Sequence, residues 1–307
     1  ISPCNVPGVA VNIDPVGGAI QVRMGAGNLF ENLPASIQRI TFLDGSVVDA
    51  YCIDAAKPRL SGVDVCLVTD ISNIRVAYLI TKYPPDAGNN IVQAARQAAI
   101  WHYTNNIILD PSDPTTSGPV VDAAVLSLYD ALITEVNAID PNNPPPLFRA
   151  GALQLVIDPA AATNQLPDQS AHPFKVKLTK GGFPVPGITI QVGATFGALN
   201  QTSGTTDANG EASFILTSNA AGSASITAST TVTIPKALDF GVRDHPTFAQ
   251  PFGVPSGQPE SLTATASKQW LPPTNTPTAT PTNTATPTDT PTNTPTATAT
   301  STPTDTP

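Results

Sequence analysis

Apolar and polar residues alternate with period two along much of the first 85 positions. Ala19-Ile20-Gln21-Val22-Arg23 and Gln38-Arg39-Ile40-Thr41-Phe42 carry the alternation, and Leu43-Asp44-Gly45-Ser46 supplies a turn. Such a pattern lays one apolar face on a core and predicts half-buried strands. Val47 to Ile53 reads as a further strand with Cys52 near its end. Ala77-Tyr78-Leu79-Ile80, closed by Tyr83-Pro84-Pro85, reads as another short apolar run of the same strand-rich region. The period then changes. Ile91 to Tyr103 is Ala-rich, has Asn89 or Asn90 as an N-cap, and sets Gln93, Gln97 and Trp101 on one helical face. Val121, Val125, Leu128, Leu132, Val136 and Ile139 form an apolar stripe that predicts a second helix from Pro119 to Ile139, with Pro119 suited to the first helical position. Pro141 and Pro144-Pro145-Pro146 end it.

From Leu153 period two returns. Strands are expected at Leu153–Ile157, Phe174–Leu178, Ile188–Val192, Ala212–Leu216 and Ala224–Ala228, with a last one at Leu262–Ala266 ending at Trp270. Lys180-Gly181-Gly182, Pro184 to Gly187, Asp207-Ala208-Asn209-Gly210 and Ala221-Gly222 separate them as turns. Short strands with regular turns read as a β-sandwich. Pro235 to Pro259 is rich in Pro and Gly and takes no place in this pattern. After Trp270 the chain reduces to Thr, Pro, Ala, Asn and Asp, a composition that lacks aromatic residues for a core and favours an extended, PPII-like stalk open to O-glycosylation.

Composition removes several function classes. The 307-residue chain carries a formal net charge of −9, and only 12% of its residues are charged. With no Lys/Arg run to neutralise phosphates, neither nucleic acid nor an anionic membrane surface is an expected partner. No run of about 18 apolar residues is present to insert into a membrane. The chain begins at Ile1 without a basic-then-apolar leader, so an export signal and a cell-envelope anchor are expected outside it. Cys4, Cys52 and Cys66 leave one cysteine over from any disulfide. They form no C-x-x-C pair, the three histidines are scattered, and no metal or cofactor is expected.

Tyr51-Cys52-Ile53-Asp54 and Arg96-Gln97-Ala98-Ala99-Ile100-Trp101 are the informative pair. Together they resemble the Cys–Gln thioester domains of bacterial surface adhesins, in which an aromatic-Cys-apolar motif on a strand is paired with a Thr-Gln-x-Ala-apolar-Trp motif on a later helix. Cys52 matches the first motif, and Gln97, Ala99, Ile100 and Trp101 match the second. Arg96 stands where the family usually has Thr. The resemblance covers about residues 20 to 145 and implies a thioester between Cys52 and Gln97, which lie 45 residues apart. The thiolate attacks the Gln97 amide, ammonia leaves, and the acyl group is stored for a Lys-type amine on a protein or polysaccharide ligand of another cell or surface. This is a single-use crosslink rather than enzymatic turnover. Tyr51, Trp101 and Ile100 are the expected shields against water. His102 is a candidate proton acceptor, its alternative being an ordinary surface histidine, and Asp54 is a weaker candidate near the bond. Gln93, one turn earlier, is an alternative acyl donor, although the motif register favours Gln97. Cys4 and Cys66 are then a candidate disulfide in an oxidising, extracellular setting.

Residues 170 to 230 resemble a bacterial Ig-like domain of the invasin type, through Val185 to Ile190, Thr205 to Ala212 and Ala221 to Ala228. The expected fold class is therefore multidomain: an α+β thioester domain over 1–148, an all-β Ig-like sandwich over 149–270, and a disordered, PPII-like Thr/Pro tail over 271–307. The function expected is that of a cell-surface adhesin. Two other readings stay open: a passive stalked surface protein in which Cys52 is an ordinary buried cysteine, and a cysteine hydrolase using Cys52, His102 and Asn105 or Asn106.

Overall fold

The computed structural model describes residues 12–27, 29–60, 63–243, 247–274 and 297. The N-terminal half contains β1 (Asn12–Ala26), β2 (Leu29–Thr41), β3 (Val47–Cys52), β4 (Val65–Asp70), α1 (Ile74–Lys82), α2 (Asn90–Asn105), β5 (Ile108–Leu109) and α3 (Pro119–Asn137). There follow β6 (Leu153–Asp158), β7 (Ala161–Gln165), β8 (Ala171–Lys180), β9 (Phe183–Pro184), β10 (Thr189–Ala194), β11 (Ala198–Leu199), β12 (Ser203–Thr205), β13 (Glu211–Thr217), β14 (Gly222–Val242) and β15 (Phe252–Leu271).

The two expected helices form close to their expected bounds. Asn89 caps α2, its side chain accepting from the Val92 N–H at 3.1 Å, and Asn106 ends it in the left-handed region at φ 54°. Pro119 stands at the start of α3 after Gly118. Along the expected stripe Val125, Leu132, Val136 and Ile139 are buried, whereas Leu128 is exposed and Tyr129 takes its place against α2. The run at Ala77–Ile80 is corrected: it is helical. Asn73 accepts from the N–H groups of Arg75 and Val76, and Val76, Ala77, Leu79 and Ile80 are the buried face of α1. An apolar run this short has no period of its own, so the Asx cap settles it.

Two sheets hold the strands. Among the described residues one runs β12-β10-β14-β15-β3-β2-β1-β5, with β4 beside β14 and β7 beside β15. The other runs β11-β13-β8-β6, with β9 beside β8. The sandwich expected after Leu153 is the second sheet packed on the β10–β14–β15 part of the first. Its core is supplied by alternate residues such as Phe174, Val176 and Leu178 of β8, Phe214 of β13 and Ile226 of β14, and the Phe174 and Phe214 rings stack at 5.6 Å. Gly181 and Gly182, both at positive φ, form the two-residue hairpin from β8 to β9. The turn at Asp207–Gly210 is a different device from the hairpin expected there. It joins β12, which pairs with β10, to β13, which pairs with β8, and so carries the chain from one sheet to the other. Asp207 Oδ1 holds it by accepting from the N–H groups of Asn209 and Glu211, each at 2.9 Å.

The unplaced stretch from Pro235 to Pro259 is the outer half of the β14–β15 hairpin. The two strands stay paired from Gly222↔Trp270 to Phe240↔Phe252 without a register break. Their inner half is part of the sandwich. Their outer half enters the N-terminal core, where Ala237, Leu238, Phe240, Phe252 and Val254 pack with residues of β2, β3, α1 and α2. There β14 pairs with β4 and β15 with β3. The Thr/Pro tail expectation falls, from residue 275 on and apart from Ala297, outside the described residues.

Candidate functional site

Cys52 is the last residue of β3. On one side it faces Phe252 of β15, and the Ile53 N–H continues that contact to the Pro251 carbonyl at 3.0 Å. On the other side pairing with β2 ends at Gln38↔Ala50, so the Cys52 N–H and C=O need another partner. Gln97, projecting from α2, provides it. Its Oε1 accepts from the Cys52 N–H at 3.1 Å, and its Nε2 donates to the Cys52 carbonyl at 2.6 Å. Gln97 is 0% exposed and Cys52 3%. The two bonds hold the amide oxygen at the Cys52 N–H and the amide nitrogen at the Cys52 carbonyl. The Cys52 N–H thus points at Gln97 Oε1, and an N–H so placed on a carbonyl oxygen is the arrangement that stabilises negative charge there when a carbonyl carbon is attacked.

Burial pushes the Cys52 thiol up to about 12, with Arg59 acting weakly in the opposite direction. The thiol is therefore protonated at neutral pH. A hollow of about 140 Å³ opens above it. Leu33, Pro34, Ala55 and Trp101 form its apolar lining, and Lys57, Arg59 and Gln250 its polar one. Trp101, one turn after Gln97, is 2% exposed and stands directly at the sulfur's opening. Tyr51 and Ile100 are equally buried, but Tyr51 points to the other side of β3, where its hydroxyl donates to the Tyr83 carbonyl at 2.7 Å. Arg96 lies on that side too, donating to the Pro84 carbonyl at 2.8 Å and stacking over the Tyr83 ring.

The other sequence candidates fall elsewhere. His102 turns to α3, its Nδ1 2.7 Å from the Tyr129 hydroxyl, and lines a different hollow with Tyr103 and Asn106. The structure does not bring it to the Cys52 opening, because one residue past Trp101 the helix has rotated by about 100°. Asn105 binds the loop after β3 rather than His102, accepting from the Ala55 N–H and donating to Asp54. Asp54 organises that loop: it ion-pairs with Lys57 at 3.4 Å, and its carbonyl accepts from Gln250 Nε2 at 2.7 Å. Gln93 Oε1 accepts from the Asp86 N–H, away from Cys52. Cys66 is disulfide-bonded; Cys4 lies outside the described residues. Cys52 takes part in no disulfide.

Sequence reading missed Arg59 and Gln250. Arg59 Nη1 donates to Ser36 Oγ at 2.7 Å, and Ser36 also accepts from Gln38 Nε2 at 2.9 Å. Gln250 arrives from the hairpin tip, almost 200 positions away, and no local pattern announces it. Among the described residues no group of His, Cys, Asp and Glu could hold a metal ion, and no helix is long and apolar enough to cross a membrane.

Residues 49–138 match the family model described as thioester domain, and residues 153–240 match that of the bacterial Ig-like domain, group 1. No curated protein matches the chain. Similar solved structures include the Bacillus anthracis TIE protein, with a TM-score of 0.48 and 12% identity over 85% of this chain and 49% of that one. The pilus-presented adhesin Cpa gives 0.28 and 10%, over 87% and 80% of the two chains. A C-terminal intimin fragment, solved with the intimin-binding domain of the translocated intimin receptor, gives 0.24 and 21%, over 39% and 33%. The present chain thus spans about half the length of the TIE protein.

Proposed function

We propose that this chain, which carries a thioester domain followed by a bacterial Ig-like domain, is an extracellular adhesin that stores an acyl group as a Cys52–Gln97 thioester and spends it in one covalent attachment to an amine on a ligand. The observation that carries the reading is the two-point contact between the Gln97 amide and the Cys52 backbone inside a buried site. An ordinary buried cysteine does not require a buried glutamine aligned on it, nor a tryptophan over its opening.

The chemistry follows from that arrangement. Cys52 Sγ gives up its proton and attacks Gln97 Cδ, while the amide oxygen stays hydrogen-bonded to the Cys52 N–H. The Cδ–Nε2 bond breaks and ammonia leaves carrying the thiol proton, so atoms balance and the Cδ–Sγ thioester remains. A thiol held up near 12 is little ionised, so orientation must supply much of the rate, a contribution on the order of 7–11 kcal/mol in favourable cases. An incoming amine then attacks Cδ from the opening, the Cδ–Sγ bond breaks, and an amide to the ligand forms as Cys52 regains a proton. No turnover follows, because the acyl group is consumed.

In this reading residues 1–148 carry the reactive domain, with Cys4 and Cys66 as its disulfide. Residues 149–270 carry the Ig-like module and, with it, the outer half of the β14–β15 hairpin, which enters the N-terminal core and braces Cys52, and 271–307 are a stalk. The ligand is an amine-bearing protein or polysaccharide on another cell or surface. The decisive experiment is the intact mass of the non-reduced protein before and after methylamine. The expected native mass is one ammonia below that of the disulfide-bonded chain, and methylamine replaces the lost ammonia while making Cys52 alkylatable. An unmodified native mass in freshly purified protein, with Cys52 alkylatable from the start, would sink the proposal.

A further inference from the structure

Two side-chain charges line the opening above Cys52, and both are positive. Lys57 is offset by Asp54 at 3.4 Å. Arg59 is exposed and has no carboxylate partner among the described residues. Its guanidinium is nevertheless tethered, since Nη1 donates to the buried Ser36 hydroxyl, which Gln38 holds in turn. The guanidinium thus stands exposed at the rim, held at one nitrogen, in the opening that Cys52 also lines.

We propose that Arg59 makes this opening select amines carried next to a carboxylate, such as a lysine with acidic neighbours, and disfavour amines embedded in further positive charge. The inference rests on the thioester reading above and names the substrate class of that site. A guanidinium binds a carboxylate through two parallel N–H···O bonds, which holds the neighbouring amine over Gln97 Cδ. A second ammonium in the same place meets like charge instead. The covalent step is unchanged: the amine nitrogen bonds to Cδ, the Cδ–Sγ electron pair leaves on sulfur, and the proton lost by nitrogen passes to it. Arg59 also opposes the cost of placing that pair on a buried sulfur, consistent with its weak downward pull on the Cys52 thiol.

The test uses the full chain with three amines of similar length: 5-aminopentanoate, n-pentylamine and cadaverine. The readout is the rate of Cys52 thiol release, divided by each amine's free-base concentration. The expected order is aminopentanoate, then pentylamine, then cadaverine, with about tenfold between the extremes at low salt, the scale of partly screened charge contacts. The spread should narrow at high salt, shrink in Arg59→Lys, which keeps the charge but not the two parallel N–H···O bonds, and collapse in Arg59→Gln. Equal rates or the reverse order in the unaltered protein would overturn the inference, as would an order that survives unchanged in Arg59→Gln protein still carrying the ammonia deficit. If the unaltered protein shows no ammonia deficit, it is the thioester reading itself that fails.

Discussion

Gln97 holds with its side chain the place beside Cys52 that the next residue pair of β2 and β3 would otherwise fill. The amide makes the two hydrogen bonds of a strand neighbour, 3.1 Å to the N–H and 2.6 Å to the carbonyl. Sheet pairing on the opposite side, from Phe252 and Pro251, fixes the cysteine against it. Cys52 and Gln97 are therefore aligned by backbone geometry, which tolerates little slack, and not by two free side chains meeting in a cavity.

Replacing Gln97 separates structure from chemistry. Gln97→Ala removes the acceptor of the buried Cys52 N–H, at about 1–3 kcal/mol, together with the Cδ–Sγ crosslink, so both the ammonia deficit and several degrees of thermal midpoint should be lost. Gln97→Glu keeps the shape but cannot release ammonia, and it sets a carboxylate oxygen against the Cys52 carbonyl. It too should show no ammonia deficit, and it should unfold at lower denaturant than the native chain at pH 7, a gap that narrows as the carboxyl protonates at lower pH. Mass spectrometry and denaturant titration at two pH values check both.

Trp101 should set the lifetime of the thioester in water. Trp101→Ala opens the hollow to solvent and removes a buried ring, at a cost of about 3–5 kcal/mol. The indole N–H makes no hydrogen bond, so Trp101→Phe keeps most of the shielding without orphaning a partner. Hydrolysis followed by the mass gain of one water should be fastest in the alanine variant, with phenylalanine closer to the native rate. Equal lifetimes in all three would assign the shielding to other residues.

Gly253 lies opposite both Tyr51 and Asp239. A Cβ there would come within 2.5 Å of Ile80 Cδ1 and 2.7 Å of Ile53 Cγ2. Gly253→Ala should therefore crowd the Ile80 and Ile53 side chains where α1 packs on the sheet, costing about 1–3 kcal/mol as overpacking. It should also lower the fraction of chains that form the bond, since Phe252 is what holds Cys52 on that side. Comparing the ammonia deficit of freshly purified native and variant protein measures this directly.

Asp239 gives a pH dependence. Its Oδ1 is buried without a partner, and desolvation raises the carboxyl to about 6, against a partial opposing effect of Lys57. The folded value lies above the unfolded one, so the contribution to stability is full below about pH 4 and is lost as pH rises through about 6. Asp239→Asn should then be more stable than the native chain at pH 7, by on the order of 1–2 kcal/mol, with the gap closing near pH 4. Denaturation midpoints at the two pH values test the sign.

Much of the fold was legible because it is local. Period two placed Val47–Cys52 and parts of β6, β8, β10, β13, β14 and β15 but not the outer half of the β14–β15 hairpin, period 3.6 placed α2 and α3, and Asn89 and Pro119 marked where those helices begin. Ala77–Ile80 was misread because four apolar residues carry no period, and the deciding signal was a cap at Asn73. Leu128 was misplaced since a stripe drawn on sequence ignores which neighbour, here α2, the helix leans on.

What the sequence determined by itself was the domain types and the two segments, around Cys52 and Gln97, that the fold brings into contact, because motifs and side-chain periodicity reside in short segments. What only the tertiary structure decided was what surrounds Cys52: Gln250 and Phe252 arrive from the tip of the long hairpin, Arg59 is tethered to Ser36, and His102 is turned away toward Tyr129. Strand pairing between segments some 200 residues apart is selected by the total burial of both partners. That quantity belongs to the assembled core and to no single stretch of sequence.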